Sequence, residues 1–219
     1  MSAISLIHRS VHDFPTVSSL YRGLAFEEHE EDIVVAQWRL HDYDAMTSLD
    51  TVNDSLAEAK RLEALVSYNI LGNGPDPMLE DIAREARVLF KVSCAKIGIM
   101  DLGRLWIKAS SSVDASLFNE QEDDIPRSRS ICAHTLQRSP RSGILVVPDI
   151  CLEPRFAKGS VVNYGMRFYA GAPIRSPEGA VLGVLSVWDV EPRPHGLSVR
   201  EQTVLEQLAT CVMAHILLA

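Results

Sequence analysis

Two strand-like runs of apolar residues in the C-terminal third of the chain predict a buried β-hairpin. The runs are Met166–Ile174 and Ala180–Asp189, and the segment between them, Arg175–Gly179, contains the Pro and Gly that a tight connection favours. In the second run, the alternating positions are largely apolar on both sides. One side carries Val181, Gly183, Leu185 and Val187, and the other carries Leu182, Val184, Ser186 and Trp188. Such a strand lies inside a sheet that is covered on both faces, and helices are the expected cover.

Three other segments repeat apolar residues at the spacing of an α-helix. The first, Asp54–Ile70, has Asp54 or Ser55 as its expected N-cap, and the second begins near Pro77, since proline is favoured in a first helical turn. The third, Ser198–Leu218, is long and amphipathic. The expected stripes are Leu56, Ala59, Leu62, Val66 and Ile70 in the first helix, Leu79, Ile82, Ala83, Ala86, Leu89 and Phe90 in the second, and Leu205, Leu208, Val212 and Ile216 in the third. These helices are the predicted cover of the sheet.

Shorter elements fill the middle of the chain. Cys94–Asp101 and Leu105–Ser110 are typical of a second hairpin, and Ile144–Val147 is typical of a further strand. Ser111–Arg129 is polar and irregular, which predicts a long loop or lid, and Ser130 is expected to cap a short helix that runs through Gln137. This order of elements predicts an α+β domain with an antiparallel sheet.

Charge divides the chain of 219 residues, whose net charge is −8, into two parts. Residues 1–57 contain ten Asp or Glu and three Lys or Arg, whereas residues 58–219 contain nineteen and eighteen. A composition change of this size predicts a boundary. We therefore expect an acidic N-terminal extension at residues 1–56 and one domain at residues 57–219. The acidic balance argues against nucleic acid as a partner.

The composition also bears on where the protein resides. The four cysteines show no paired spacing, which is typical of reduced thiols in an intracellular protein, and we expect a cytoplasmic location. The serine-rich segment Met1–Phe26 leaves an organelle transit peptide as an alternative. No apolar run reaches the roughly 20 residues that span a bilayer, so insertion into a membrane is not expected.

Cys132 and His134 are the first candidates for chemistry. Residues two apart on a helix point about 200° away from each other, so this pair cannot readily share a metal ion or a proton, and no metal site is expected. Cys132 precedes Leu136 by four residues and is expected to face inward. It then either packs as a small hydrophobic residue or lines a pocket. His134 is expected on the helix surface or at the rim of that pocket.

Two further groups of candidates lie near the predicted strands. Asp149 and Arg155, with Phe156 beside them, either brace their loop through an ion pair or contact a ligand. Arg167 and Tyr169 share one side of an extended segment and would offer a cation and a phenol to an acidic or heteroaromatic ligand. The alternative for Tyr169 is a place in the core with its hydroxyl group hydrogen-bonded.

These segments together resemble a known family. Between Val146 and Arg193 the chain has an aspartate, then Pro-Arg-Phe, Arg-Phe-Tyr-Ala-Gly-Ala-Pro, a Glu-Gly turn and Leu-Gly-Val-Leu-Ser-Val-Trp-Asp. This succession resembles the second half of a GAF domain, a small-molecule sensor module related in shape to PAS domains, and the likeness covers roughly Ala57–Leu218. It implies a GAF/PAS-like antiparallel sheet flanked by helices. It also implies a cavity between the sheet and the segments Ser111–Gln137 and Asp149–Tyr164, bordered by Cys132, His134, Asp149, Arg155, Phe156, Arg167 and Tyr169.

The resemblance implies a non-catalytic sensor in intracellular signalling that binds an unidentified small ligand. It identifies no particular cofactor. GAF proteins commonly pass their signal through paired terminal helices, which implies a homodimer through Asp54–Ile70 and Ser198–Leu218, with a separate signalling enzyme as a further partner.

The alternative is an enzyme similar to the free methionine-R-sulfoxide reductases, with Cys132 as its thiol. These reductases need a second pocket cysteine, where this chain has Lys158, Gly159 and Ser160. A bilin site is disfavoured because Ala133 separates Cys132 from His134. The Asn-Lys-Phe-Asp signature of cyclic-nucleotide-binding GAF domains is also missing.

Overall fold

The computed structural model describes residues 52–71, 74–114, 124–136, 143–156 and 165–219. The acidic extension lies almost entirely outside these residues, so the boundary near residue 57 stays a prediction. The elements, in chain order, are α1 (Val52–Ser67), α2 (Pro77–Phe90), β1 (Cys94–Met100), β2 (Arg104–Ser112), β3 (Asp124–Pro126), a 3₁₀ turn (Arg127–Arg129), α3 (Ala133–Leu136), β4 (Leu145–Val147), a second 3₁₀ turn (Ile150–Leu152), β5 (Phe168–Arg175), β6 (Val181–Asp189) and α4 (Val199–Leu218).

The described strands form one six-stranded antiparallel sheet in the order β3-β2-β1-β6-β5-β4. The predicted hairpin is β5–β6, and it lies inside the sheet because β6 pairs with β1 and β5 pairs with β4. Phe168–Ile174 and Leu182–Trp188 are buried at every position. Gly179, with φ +90°, completes the connecting turn. The prediction of a central hairpin covered on both faces is confirmed.

The long helices cover one face of the sheet. α2 packs against β1 and β2, α4 packs against β5 and β6, and α1 contacts β6. The buried residues of α2 are those of the predicted stripe, except that Leu89 is exposed. In α4, Ser198 and Glu201 form a capping box, and the core positions are Leu205, Ala209, Val212 and Met213. The predicted stripe of α4 is thus shifted, because Ala209 and Met213 take the central place and Leu208 is half-buried.

Helix α1 differs from its prediction in start and in phase. It begins at Val52, so neither Asp54 nor Ser55 is the N-cap. Val66 is exposed and Leu65 faces the core in its place, whereas Leu62 and Ile70 are buried as predicted. Arg61, which is 5% exposed, explains this rotation because its guanidinium donates to the carbonyl oxygens of Met100 and Asp101.

The predicted loop Ser111–Arg129 is partly regular. Strand β2 continues to Ser112, Asp124–Pro126 forms the edge strand β3, and a 3₁₀ turn follows. A three-residue strand is too short for an alternating pattern to show. The short helix α3 ends at Leu136 among the described residues, and the predicted end at Gln137 lies outside them. No helix in the described ranges is both long and apolar enough to span a membrane.

Candidate functional site

The second face of the sheet, which we call the α3 face, is covered by α3 and by the segment 149–156. Ile131, Cys132, Ala133 and Phe156 pack here in one apolar cluster with residues of five strands. The strands contribute Cys94, Met100, Leu105, Leu145, Val147, Tyr169, Val184 and Trp188. Strand alternation places Lys96 and Ser186 on the same face, because they share the register of Cys94 and Trp188.

A chain of buried hydrogen bonds crosses this cluster at Tyr169. Its hydroxyl group donates to Sγ of Cys132 at 3.3 Å and lies 3.3 Å from Oγ1 of Thr135. Tyr169 and Thr135 are each 1% exposed. The prediction that Cys132 faces inward is confirmed, and Tyr169 occupies the core with its hydroxyl group bonded, as in the alternative considered for it.

Burial governs the acid–base chemistry of this chain of groups. It raises the pKa of Cys132, and the hydrogen bond from Tyr169 opposes the rise only in part. Burial also raises the pKa of Tyr169 well above its ordinary value. Both groups are therefore protonated at neutral pH, and the thiolate form that acts as a nucleophile is disfavoured at Cys132.

Gly171 makes room for the Tyr169 phenol. Both residues lie on β5, two positions apart and therefore on the same side of the strand. A Cβ atom at Gly171 would contact the Tyr169 hydroxyl group and would lie 2.9 Å from Cζ. The glycine thus lets the phenol fold along its own strand toward Cys132.

Asp149 and Arg167 brace the edge of the site. The Nε and Nη2 atoms of Arg167 donate to the two carboxylate oxygens of Asp149 at 2.9 and 2.6 Å, and Asp149 also accepts from the backbone N–H of Cys151 at 3.1 Å. The hydrogen bonds from Arg167 lower the pKa of Asp149. The ion pair considered between Asp149 and Arg155 does not form. The antiparallel register, in which Val147 faces Tyr169, brings Asp149 opposite Arg167 instead.

The other predicted cation is also engaged. Arg155 donates to both carboxylate oxygens of Glu153, at 2.9 and 3.1 Å, and its guanidinium lies 5.1 Å from the Phe156 ring centroid. Arg167 is held by Asp149 while the Tyr169 phenol is buried, so the structure does not bring that cation and that phenol together.

His134 lies at the rim of the cluster. Its ring meets Phe156 edge-on, with centroids 4.9 Å apart and an interplanar angle of 78°. Burial, followed by the positive charge of Arg155, lowers the pKa of His134, and Glu153 opposes this effect. The half-buried imidazole is therefore neutral at pH 7 and can either donate or accept a hydrogen bond.

Sequence reasoning missed Lys96 and Trp188. The Lys96 ammonium nitrogen lies 5.2 Å from the Trp188 ring centroid, and Ser186 Oγ donates to the Lys96 carbonyl oxygen at 3.3 Å. The alternation in Cys94–Met100 was the available signal, because it places a lysine on one face of a central strand, where this residue is rare. In the part of the chain that the structure describes, no three metal-ligating side chains converge.

Comparison with known proteins identifies a relative of this chain. The chain is 37% identical over 161 residues to a cyclic di-GMP phosphodiesterase of Pseudomonas aeruginosa, and the match covers 73% of this chain and 26% of that protein. The chain thus spans about a quarter of that relative's length.

Solved structures agree with the fold at low sequence identity. The GAF domain of an Acinetobacter phosphoenolpyruvate-protein phosphotransferase has a TM-score of 0.52 at 18% identity, covering 74% of this chain and 94% of its own. The chromophore-binding domain of an R. palustris bacteriophytochrome has a TM-score of 0.55 at 14% identity, covering 77% and 63%. The family model of the GAF domain matches residues 74–216, well over half of the sequence. The chain therefore belongs to the GAF domain family.

Proposed function

We propose that this chain is a non-catalytic regulatory domain that binds a small molecule at the α3 face and reports its presence through the terminal helices. The observation that carries the proposal is the composition of that face. A lysine, an indole and several hydroxyl groups converge there on an otherwise apolar surface, which is the usual make-up of a small-molecule site. The walls expected from Ser111–Gln137 and Asp149–Tyr164 lie partly outside the described residues, so the cavity itself remains a prediction.

The state of Cys132 favours regulation over thiol catalysis. Its sulfur accepts a hydrogen bond from Tyr169, and burial raises its pKa, so little thiolate is present at neutral pH. A reductase that used this thiol would need the opposite environment. The methionine sulfoxide reductase alternative is therefore the weaker of the two.

Strand β6 offers a route from the α3 face to the terminal helices. Ser186 and Trp188 lie on the α3 face, whereas Leu185 and Val187 point to the other face. Both α1 and α4 contact this strand. A ligand that displaces β6 would therefore act on both helices at once.

The receiver of the signal is, in this proposal, a signalling enzyme in the cytoplasm. The matched relative is a cyclic di-GMP phosphodiesterase, and the matched region is about a quarter of it. We extend that arrangement to this chain as a domain that regulates an enzyme of nucleotide signalling.

A retained small molecule is the first expected result. Protein purified from cells and then denatured is expected to release one molecule per chain, detected by mass spectrometry. Ser186→Leu, which fills the α3 face, is expected to abolish retention. Ser67→Leu, at the exposed end of α1, is expected to retain it. Circular dichroism establishes that both variants are folded.

The same preparation tests the reductase alternative. With free methionine-R-sulfoxide and a thiol donor we expect no turnover. Turnover that disappears in Cys132→Ser would replace the proposed function with that of a reductase. Retention by folded Ser186→Leu at the wild-type level would show that the molecule binds elsewhere.

Dimerisation through the terminal helices is the second expected result. Val212 packs within its own chain, but Cys211, Ala214 and Leu218 form an exposed edge of α4. Light scattering at micromolar concentration is expected to give a two-chain mass. Ala214→Glu is expected to reduce it to one chain, because a charge would be buried at the two-fold contact. Leu89→Glu, at another exposed site on α2, is the control, and a one-chain mass for the wild type would contradict the proposal.

A further inference from the structure

We propose that the ligand of the α3 face carries an anionic group that pairs with Lys96, joined to a flat ring that packs beside Trp188. This inference rests on the proposed function, because it assigns a chemical class to the ligand of the same site. It is carried by the position and surroundings of one lysine.

Lys96 lies in the middle of a central strand. Its partners across the sheet are Ser110 on β2 and Ser186 on β6, and its same-side neighbours along β1 are Cys94 and Gly98. All four neighbours are uncharged. The Lys96 side chain is half-buried, and its ammonium group lies over the Trp188 ring. Among the described residues, the Lys96 ammonium group thus lies within neutral surroundings on the α3 face.

The carboxylates bordering this face have other partners. Asp149 is bound by Arg167, and Glu153 is bound by Arg155. Asp189, at the end of β6, points to the other face of the sheet by strand alternation and accepts there from Ser93 Oγ at 2.5 Å. Across the described ranges Lys96 forms no ion pair. An ammonium group partly removed from water is unfavourable without a counter-charge, and the Trp188 ring offsets only part of that cost.

An anionic ligand would provide the missing charge. Its acidic group would accept from the Lys96 ammonium group. The Trp188 ring, which is 7% exposed at the edge of the apolar cluster, gives the site an apolar wall that favours a flat ring. The competing explanation is that Lys96 only lays its aliphatic stem over Trp188 while its charge faces solvent. Only the first explanation predicts that the α3 face binds an anionic ligand more tightly than a neutral ligand of the same shape.

Two fluorescent probes separate these explanations. 8-Anilinonaphthalene-1-sulfonate and N-phenyl-1-naphthylamine share the same ring system, but only the first carries a sulfonate group. We expect Lys96→Met to weaken binding of the sulfonate probe by roughly ten- to hundredfold, which corresponds to one lost charge-assisted hydrogen bond. The affinity for the neutral probe is expected to stay within about twofold of the wild type.

Two matched variants keep the test independent of folding. Lys96→Arg keeps the charge and is expected to retain binding of the sulfonate probe. Lys60→Met removes an exposed lysine of α1 and is expected to change neither affinity. Melting curves for each variant exclude dye binding to unfolded protein.

The outcomes distinguish this inference from the proposed function. If folded Lys96→Met binds both probes as the wild type does, or loses both equally, the anionic class is wrong while the site stands. If neither probe binds the wild type, or Ser186→Leu leaves both affinities unchanged, the α3 face holds no ligand site. The proposed function then falls together with the inference.

Discussion

Replacing Glu58 by Gln is expected to lower the free energy of unfolding by about 3 kcal/mol, because it removes one member of a buried ionic network. The Nε and Nη2 atoms of Arg61 donate to the Glu58 carboxylate at 2.8 and 2.7 Å, and Arg127 donates to the same carboxylate from 69 residues away. The Glu58 side chain is 15% exposed. Without its charge, Arg61 and Arg127 lose the carboxylate that they share.

Urea denaturation measures this loss. Glu63→Gln changes an exposed acid of the same helix and serves as the control, with an expected change within about 0.5 kcal/mol. A Glu58→Gln protein as stable as the Glu63→Gln protein would show that the network contributes no net stability.

The pH dependence of this network has a definite sign. Burial raises the pKa of Glu58, but the hydrogen bonds and charges of Arg61 and Arg127 outweigh burial and lower it from 4.5 to about 2. Because the pKa is lower in the folded state, the stabilisation is fully present above pH 4.5 and is lost as the pH falls toward 2. The difference in stability between the wild type and Glu58→Gln is therefore expected to narrow across that window.

The network also connects the proposed output helix with the site. Glu58 belongs to α1, whereas Arg127 lies three residues before Ser130, whose hydroxyl group accepts from the backbone N–H of Cys132 at 3.2 Å. If the segment that leads into α3 moves, Arg127 moves with it and shifts Glu58 on α1. Loss of the network is expected to affect ligand response as well as stability.

The elements that sequence predicted best are those whose signal is local. The β5–β6 hairpin was evident because both faces of Leu182–Trp188 are apolar, and the start of α4 was evident from Ser198 and its amphipathic continuation. In both cases the pattern lies within one element, so no knowledge of the neighbouring elements was required. The inward position of Cys132 was also predicted correctly from its spacing to Leu136, although Cys132 lies in the turn just before α3.

The features that could not be predicted from the sequence depend on contacts between segments that are distant along the chain. Asp149 could have met either Arg155 or Arg167, and only the β4–β5 register brings it to Arg167. The phase of α1 depends on Arg61 reaching the carbonyl oxygens at the end of β1. Lys96 stands out as a candidate ligand-binding residue only because its ammonium group lies over Trp188, a residue of another strand. Local periodicity fixes which side of an element is apolar, but not which polar groups meet across elements.

Gly183→Ala is expected to destabilise the protein by about 3 kcal/mol, at the upper end of the cost of overpacking a core. Gly183 lies on β6 opposite Ile99 of β1 and Ile174 of β5. A Cβ atom at this position would contact the carbonyl oxygen of Gly98 and lie 3.0 Å from Cα of Ile99. These are backbone atoms of the adjacent strand, so a rotamer change cannot relieve the clash.

The added methyl group would therefore separate β1 from β6 at the centre of the sheet, where both faces are packed. Since about 1 kcal/mol corresponds to roughly 2–4 °C in a domain of this size, thermal unfolding is expected to shift down by about 6–12 °C. Gly74→Ala adds the same methyl group at a position with no atom within 4 Å and is expected to shift the midpoint by at most about 2 °C. If Gly183→Ala and Gly74→Ala unfold at the same midpoint temperature, β1 and β6 can move apart without loss of stability. The close packing of these two strands then does not stabilise the fold.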